Sequence, residues 1–177
     1  MMRRHFTFLF VFCLISNLVT AQYAFNFIEN LGQWDDPFDY RCDVPGGALF
    51  INEKGITWHL ADHSALHKAH ATSITELDGD DIIRGHAFRT RYLQSNNYAE
   101  HYAFEPTSFY LNYYRGNDPD KWVHSLYPKK RLHYRNIWSQ VDIHFYTQDG
   151  QLKYDFMIEP GGSVNTIQWT YDGAESF

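Results

Sequence analysis

The sequence contains little cysteine, and this shortage limits how the fold can be stabilised. Of the two cysteines, Cys13 lies in an apolar stretch near the N-terminus and Cys42 lies in a segment that alternates apolar and polar residues. One remaining cysteine cannot form an internal disulfide, so stability must come from packing. Aromatic residues make up 18% of the chain and are the obvious means. We expect Cys42 to be a small buried residue on a strand.

Long apolar runs are absent after the N-terminal stretch. Residues 1–21 begin with Arg3 and Arg4, continue through a mostly apolar run at 6–18, and end in small residues. This order is typical of a cleaved export signal. Because the only long apolar run lies in the signal, the sequence predicts no transmembrane span in the mature chain, residues 22–177. We predict an exported protein, either secreted or associated with the cell surface or outer membrane.

Positive charge is also scarce. The chain has 15 Lys and Arg residues against 21 Asp and Glu residues, and its formal net charge is −6. Proteins that bind nucleic acid through phosphate contacts need a cationic surface, which this composition does not provide. The high aromatic content also excludes intrinsic disorder. The composition therefore indicates one acidic, globular domain that does not bind nucleic acid.

Alternating apolar and polar residues predict an all-β fold. The clearest case is a hairpin formed by residues 141–146 and 152–158, joined at Asp149 and Gly150, which favour a tight turn. A second hairpin is predicted from 48–51 and 56–60. Further strands are predicted at 38–44, 85–93, 109–114, 131–134 and 167–171. Short strands separated by turn signals indicate an antiparallel, sandwich-like domain over residues 22–177.

Two helical features are predicted within this β-rich domain. Residues 61–72 contain several good helix formers and predict one short inserted helix. Asp118 followed by Pro119 predicts a single helical turn. The last predicted strand, 167–171, is followed by a turn signal and then by only a few residues. We expect the domain to be the N-terminal piece of a longer protein and to be incomplete at its C-terminus.

Motifs for catalysis are missing. The sequence has no Gly-x-Ser-x-Gly pattern and no glycine-rich phosphate-binding loop. The acidic clusters at 78–81 and 117–120 do not fit the calcium loop of an EF-hand, and they have the composition of ordinary turns. We therefore predict a non-enzymatic protein without a cofactor.

The tryptophans and tyrosines support an alternative function. Trp34 and Trp122 both lie beside turn-forming residues, where exposed rings could stack on sugars. The sequence is thus compatible with a carbohydrate-binding module that uses exposed Trp and Tyr side chains. The competing interpretation is that these rings fill the core of a domain without disulfides.

A cluster of histidines supports a second alternative. His63, His67 and His70 are spaced so that they share one face of the predicted helix. Two or three imidazoles arranged in this way can bind zinc or copper. The His-Glu-x-x-His pattern of metalloproteases is absent, and a solvated polar helix face explains the same spacing. Binding of a divalent metal by these histidines is therefore a hypothesis beside the structural interpretation.

Several longer motifs resemble one known family. They are Phe27–Trp34 (FIENLGQW), Val44–Gly47 (VPGG), His86–Arg89 (HAFR), Asn112–Trp122 (NYYRGNDPDKW) and Asp149–Phe156 (DGQLKYDF). Together they resemble an uncharacterised, β-rich N-terminal domain of exported Bacteroidetes-type proteins. In that family the domain precedes SBBP repeats, which are of β-propeller type, or PKD modules. A gliding-motility-associated C-terminal sorting domain, used by type IX secretion, often follows.

The resemblance implies a surface-protein module without an assigned activity. It runs from about Phe25 to the end of the chain, and it carries over no catalytic residue. It implies a non-enzymatic extracellular or cell-surface module with a role in adhesion, assembly or interaction. The implied partners are other modules of the same polypeptide or envelope proteins.

The metal hypothesis yields a direct test. If His63, His67 and His70 bind zinc, calorimetric titration with zinc should give a saturable heat signal. The triple variant His63→Ala/His67→Ala/His70→Ala should lose that signal, because imidazole nitrogens are the proposed ligands. Equal heats from the native chain and the variant would reject the hypothesis.

Overall fold

The computed structural model describes residues 24–62 and 84–174. Within these ranges the strands are β1 (Phe27–Glu29), β2 (Tyr40–Val44), β3 (Gly47–Asn52), β4 (Gly55–Asp62), β5 (Arg84–Tyr92), β6 (Glu100–Pro106), β7 (Leu111–Tyr113), β8 (Val123–Leu126), β9 (Lys129–Trp138), β10 (Val141–Gln148), β11 (Gln151–Ile158) and β12 (Trp169–Asp172). Two short 3-10 turns, Pro119–Lys121 and Val164–Thr166, complete the described elements. All strand pairs are antiparallel, so the predicted all-β antiparallel class is confirmed.

Ten strands form one sheet that curls into a half-barrel. Their order is β11–β10–β9–β1–β2–β3–β4–β5–β12, and β6 pairs with β9 outside this path. β7 and β8 form a separate two-stranded sheet. The curl brings the two end strands close to each other. The rings of Phe156 on β11 and Trp169 on β12 lie 6.0 Å apart. The sequence predicted a sandwich of two layers. In the structure, the two halves of one curled sheet, which we call its limbs, face each other instead.

The main core lies on the inner face of the curl. Ile143 on β10 pairs with Tyr134 on β9, and Phe145 pairs with Leu132. All four side chains are almost completely buried, together with Phe27 from β1. Because side chains alternate between faces, a slip of one residue would move this entire set to the outside. Burial of the inner face thus sets the register.

Both predicted hairpins are confirmed. Residues 141–146 and 152–158 lie in β10 and β11, and the connecting residues Asp149 and Gly150 adopt positive φ angles of 54° and 70°. Residues 48–51 and 56–60 lie in β3 and β4. The strands β1, β6 and β8 were not among those predicted. β1 and β8 are too short to show a pattern. In β6 the aromatic residues lie on the exposed side, so the sequence does not show one apolar and one polar face.

A second, smaller core covers part of the outer face. Trp34, from the loop that follows β1, contacts Phe38 at 5.4 Å and Tyr113 of β7 at 5.0 Å between ring centroids. Ile28 of β1 and Leu126 of β8 are buried in the same cluster. The β7–β8 hairpin is thereby attached to the main sheet through aromatic contacts.

Tyr134 and Cys42 are polar residues within the main core. The Tyr134 hydroxyl donates to Asp39 Oδ2 at 2.8 Å. Burial, followed by the nearby Asp39 carboxylate, raises the pKa of Tyr134 well above its usual value. Cys42 is fully buried on β2, as expected, and burial raises the pKa of its thiol to about 12. Burial therefore favours the protonated form of the thiol at neutral pH, which is the less reactive form.

The predicted helical features have different outcomes. Asp118 caps the turn Pro119–Lys121, since its carboxylate accepts a hydrogen bond from Asp120 N at 3.1 Å. The longer helix predicted at 61–72 would begin at Ala61, but Ala61 and Asp62 belong to β4. The rest of that predicted helix lies outside the described residues.

The core leads to a prediction about stability. Replacing Leu132 with alanine should lower the free energy of unfolding by about 2–5 kcal/mol, because it leaves a cavity beneath β9. Lys130, two residues away on the same strand, is exposed, so Lys130→Ala should change it by less than about 0.5 kcal/mol. Urea denaturation of both variants measures the difference. Similar losses in the two variants would contradict the assigned core.

Candidate functional site

An aromatic groove lies where the two ends of the sheet face each other. It encloses about 210 Å³ between β11 on one side and β4, β5 and β12 on the other. Its lining consists of Ile56, Trp58, Phe88, Thr90, Tyr92, Tyr154, Phe156, Trp169 and Tyr171. Most of these side chains are aromatic, and they come from four strands. The groove is therefore a product of the curl and not of one local motif.

Strand alternation places these rings side by side. Trp58 on β4 pairs with Phe88 on β5, and Tyr171 on β12 pairs with Thr90 on β5. Directly paired residues in an antiparallel sheet project from the same face. The intervening residues, among them Arg89 and Arg91, project from the opposite face. The groove side of β4, β5 and β12 is thus apolar while the outer side is charged.

Two pairs of parallel rings define the geometry of the groove. The rings of Trp58 and Phe88 are 5.6 Å apart with an interplanar angle of 4°. Phe156 and Trp169 are 6.0 Å apart with an interplanar angle of 11°, and this pair spans the groove from β11 to β12. Trp58 Nε1 donates to Thr90 Oγ1 at 3.3 Å. The indole nitrogen therefore has a partner within the groove wall.

The rim of the groove is exposed, while its floor is buried. Tyr154, Trp169 and Tyr171 are 46%, 36% and 59% exposed. Tyr92, at the floor, is buried, and this burial raises its pKa, with a smaller contribution from Tyr154. The described residues of the lining include no carboxylate, imidazole or guanidinium group. They can therefore bind apolar or stacking ligands, and the ionisable groups among them are phenol hydroxyls.

The structure places Trp34 and Trp122 away from this groove. Trp34 is 9% exposed within the small core, so its ring presents no open face. Trp122 is half-buried, contacts Tyr114 edge-on at 5.5 Å and donates from Nε1 to Gly116 O at 3.4 Å. Lys121 Nζ and Asp35 Oδ1 form a salt bridge of 2.8 Å, which joins the loops that carry the two tryptophans. Each of the two rings thus packs against other aromatic side chains.

The structure describes only some of the histidines. His63, His67 and His70 lie outside the described residues, so the metal hypothesis stays a prediction. Across residues 24–62 and 84–174, no group of three or more potential ligands could hold a metal ion. The tightest His–carboxylate pair there is His133 Nε2 with Asp142 Oδ2 at 2.9 Å.

The His133–Asp142 pair has a structural explanation. Both side chains are buried, and Asp142 Oδ1 also accepts from Asn136 N at 2.7 Å. The pairing of β9 with β10 shifts register between Val141 and Ile143, so Asp142 lies at a bulge. The carboxylate satisfies a backbone N–H that the bulge removes from the ladder. The pair therefore stabilises the bulge.

A larger depression lies on the outer side of the sheet. It encloses about 580 Å³ and includes the charged residues Asp36, Asp39, Glu53, Lys54, Arg89 and Arg91 in its lining. Acidic and basic groups are balanced there, and the lining has no set of aligned rings. We regard the aromatic groove as the candidate functional site because exposed aromatic surface is the less common feature.

Comparison with known families assigns the chain. A family profile described as "Domain of unknown function (DUF7948)" matches residues 27–177. The chain belongs to the DUF7948 family. No curated protein and no solved structure matches it. The expected resemblance to an uncharacterised β-rich domain is thus confirmed at the level of a domain of unknown function.

The groove of this DUF7948 domain was not predicted from the sequence. The signal was present in part, because Tyr154 and Phe156, like Trp169 and Tyr171, alternate along predicted strands. Alternation shows that two rings share one face of a strand, but it does not show which strands meet. The contact of β11 with β12 depends on the curl of the whole sheet. The sequence analysis instead selected Trp34 and Trp122 as candidate binding residues, because both lie beside turn-forming residues.

The exposed rim leads to a prediction about dye binding. The variant Trp169→Ala/Tyr171→Ala should bind less of a fluorescent hydrophobic dye, because it removes exposed aromatic surface from the groove. Its free energy of unfolding should change by less than about 1 kcal/mol, since both rings are partly exposed. Tyr98→Ala is the matched control, because Tyr98 is 90% exposed and does not line the groove. Equal dye fluorescence from both variants would contradict the assignment.

Proposed function

We propose that this DUF7948 domain is a non-enzymatic binding module of an exported protein, and that the aromatic groove holds apolar side chains of a protein partner. Its role is adhesion or assembly at the cell surface. The observation that carries the proposal is the lining of the groove. Its described residues combine exposed rings with phenol and threonine hydroxyls, and they include no carboxylate, imidazole, guanidinium, amine or thiol.

The chemistry of the lining favours binding over turnover. General acid–base catalysis uses a side chain whose pKa lies near the working pH, and covalent catalysis uses an activated nucleophile. Burial raises the pKa of Tyr92 and thus moves this group further from neutrality. Cys42 is buried in the core and is not part of the groove. The groove therefore supplies contact area without a reactive group.

The chemistry of the ligand follows from the same lining. Burial of a large apolar side chain contributes roughly 1.5–3 kcal/mol. Stacking on Tyr154, Trp169 or Tyr171 adds to this, because offset or edge-on aromatic pairs are favourable beyond their buried area. A partner segment with two or three aromatic or aliphatic side chains therefore fits the groove. Such contacts are typical of protein–protein interfaces, where Trp and Tyr are enriched.

The export signal and the family resemblance support the cellular setting. Residues 1–21 have the order of a cleaved signal, and the motifs of the chain resemble a module that precedes SBBP or PKD repeats. Among the described residues, no helix is long and apolar enough to cross a membrane. We propose that the partners are neighbouring modules of the same polypeptide or other envelope proteins, in a Bacteroidetes-type surface protein that uses type IX secretion.

Carbohydrate binding is the second candidate function. The observation that favours it is the exposure of Trp169 and Tyr171 at the rim, since sugars stack on exposed aromatic faces. Sugar hydroxyls also require polar partners, and the lining provides Thr90 and three tyrosine hydroxyls. Of the tryptophans singled out from the sequence, Trp34 has no open face and Trp122 contacts Tyr114. The groove is therefore the more suitable platform for a sugar as well.

Selection from a displayed library of random peptides tests the main proposal. Selected sequences should be enriched in aromatic and aliphatic residues, and their binding should fall at least about tenfold in Trp169→Ala/Tyr171→Ala, a loss equivalent to about 1.4 kcal/mol. Tyr98→Ala should bind like the native chain. A glycan array probed with the same three proteins tests the alternative.

Two outcomes would reject the proposal. Selected peptides that bind the groove variant and the native chain equally would show that another surface is used. Glycan binding that depends on Trp169 and Tyr171, without selected peptides, would establish the carbohydrate alternative instead.

A further inference from the structure

Among the strands that the structure describes, β11 has an open hydrogen-bonding edge. It forms one end of the sheet and, among the described strands, pairs with β10 alone. Glu159 N donates to Gln140 O at 2.9 Å across this pair. Backbone groups of an antiparallel strand alternate in direction, so odd-numbered residues of β11 face β10. Leu152, Tyr154 and Phe156 therefore direct their N–H and C=O groups outward.

The sequence of β11 is complementary to itself. If a second copy is placed antiparallel about Tyr154, Leu152 lies opposite Phe156 of the partner subunit. Tyr154 then lies opposite Tyr154 of the partner subunit, and Lys153 lies opposite Asp155 of the partner subunit. All residues that direct backbone groups outward are paired with each other in this register. Aromatic pairs and opposite charges are the cross-strand pairs that stabilise a sheet.

The charges of Lys153 and Asp155 favour this register over the registers centred on either of those two residues. A shift of the dyad axis to Asp155 would place two carboxylates opposite each other, and a shift to Lys153 would place two ammonium groups opposite each other. Like charges in directly opposed positions destabilise antiparallel pairs. Only the axis at Tyr154 joins Lys153 and Asp155 twice. Both residues project from the outer face, away from the aromatic groove, because they alternate with the groove-lining residues.

The exposure of β11 agrees with an unfilled edge. Tyr154 and Ile158 are large apolar residues that are 46% and 45% exposed. Exposed edge strands are usually protected by short length, by proline, by bulges or by charged side chains. β11 has eight residues, contains no proline and pairs with β10 without a register shift. Lys153 and Asp155 are the protective charges of its interior, and a second copy places an opposite charge beside each of them.

We propose that two copies of this chain associate through antiparallel pairing of β11 with β11 of the partner subunit, centred on Tyr154. The assembly has two-fold symmetry, so the same patch serves both subunits. It joins the two half-barrel sheets into one continuous sheet. The charge pairs that set its register lie on the outer face, whereas Tyr154 and Phe156 of the paired strand also line the groove. The groove variant Trp169→Ala/Tyr171→Ala changes β12 alone, so it tests the groove without altering the paired strand.

Charge reversal provides the first test. Sedimentation velocity over a concentration series should show the native chain as a dimer. Lys153→Asp should raise the dissociation constant by roughly tenfold or more, because it opposes like charges twice. The double variant Lys153→Asp/Asp155→Lys should restore the dimer, since it exchanges the charges and keeps their complementarity. Circular dichroism confirms that each variant is folded.

Cysteine crosslinking provides the second test. Cα atoms of opposed residues are about 5.5 Å apart in a hydrogen-bonded pair, which a disulfide can span. Tyr154→Cys should form a disulfide-linked dimer under mild oxidation. Phe156→Cys, on the same face, is the matched control, because the two Phe156 positions are offset by four residues, about 13 Å. A Cys13→Ser background leaves Cys42, which is buried, as the only other cysteine.

The outcomes decide the proposal directly. A native chain that is monomeric at all concentrations would overturn it. A dimer that persists in Lys153→Asp, or that the double variant does not restore, would also overturn it. Crosslinking of Phe156→Cys as efficiently as Tyr154→Cys would reject the register, and crosslinking through Tyr171→Cys alone would assign the contact to β12. Loss of peptide binding in a dimeric groove variant would concern the proposed function and leave the dimer intact.

Discussion

The structure depends on one constraint, which is the two-residue alternation of side chains along β9 and the strands that pair with it. β9 contacts β10, β6 and β1, so its register is transmitted to both limbs of the sheet. Leu132 and Tyr134 face the core, whereas Arg131 and His133 face outward. A domain without a disulfide has no covalent restraint against slippage. Burial of the inner face therefore has to specify the register, and the aromatic side chains supply the area.

Local patterns could be predicted, while the meeting of distant strands could not. The β10–β11 hairpin follows from alternation on both arms and from a turn sequence that accepts positive φ angles. The strand β6 was missed because Tyr102 and Phe104 face outward, where they contact His133 and His144 of neighbouring strands. Its position beside β9 depends on pairing with a strand far along the chain. No local signal encodes that partnership.

The predicted site differs from the observed groove because the prediction used local patterns, whereas the groove depends on contacts between distant strands. Trp34 and Trp122 were favoured because turns usually lie at the surface, and a tryptophan next to a turn is often exposed. Trp34 is instead the centre of a small core that attaches the β7–β8 hairpin to the sheet. The groove unites Phe156 and Trp169, which lie on the two strands at opposite ends of the sheet. Which aromatic rings become a surface therefore depends on the curl, and a single sequence shows only that such rings exist.

The half-barrel leaves both the aromatic groove and the edges of β11 and β12 accessible, because the two end strands do not pair. A closed barrel would pair β11 with β12 and remove both edges. The stacking of Phe156 on Trp169 brings these strands into side-chain contact without joining their backbones in the sheet. As a consequence, the aromatic surface that could hold a partner and the backbone groups that could pair with a strand lie on the same two strands. Binding in the groove uses side chains of the inner face and pairing at the edge uses backbone groups of β11, and the side chains of Tyr154 and Phe156 contribute to both.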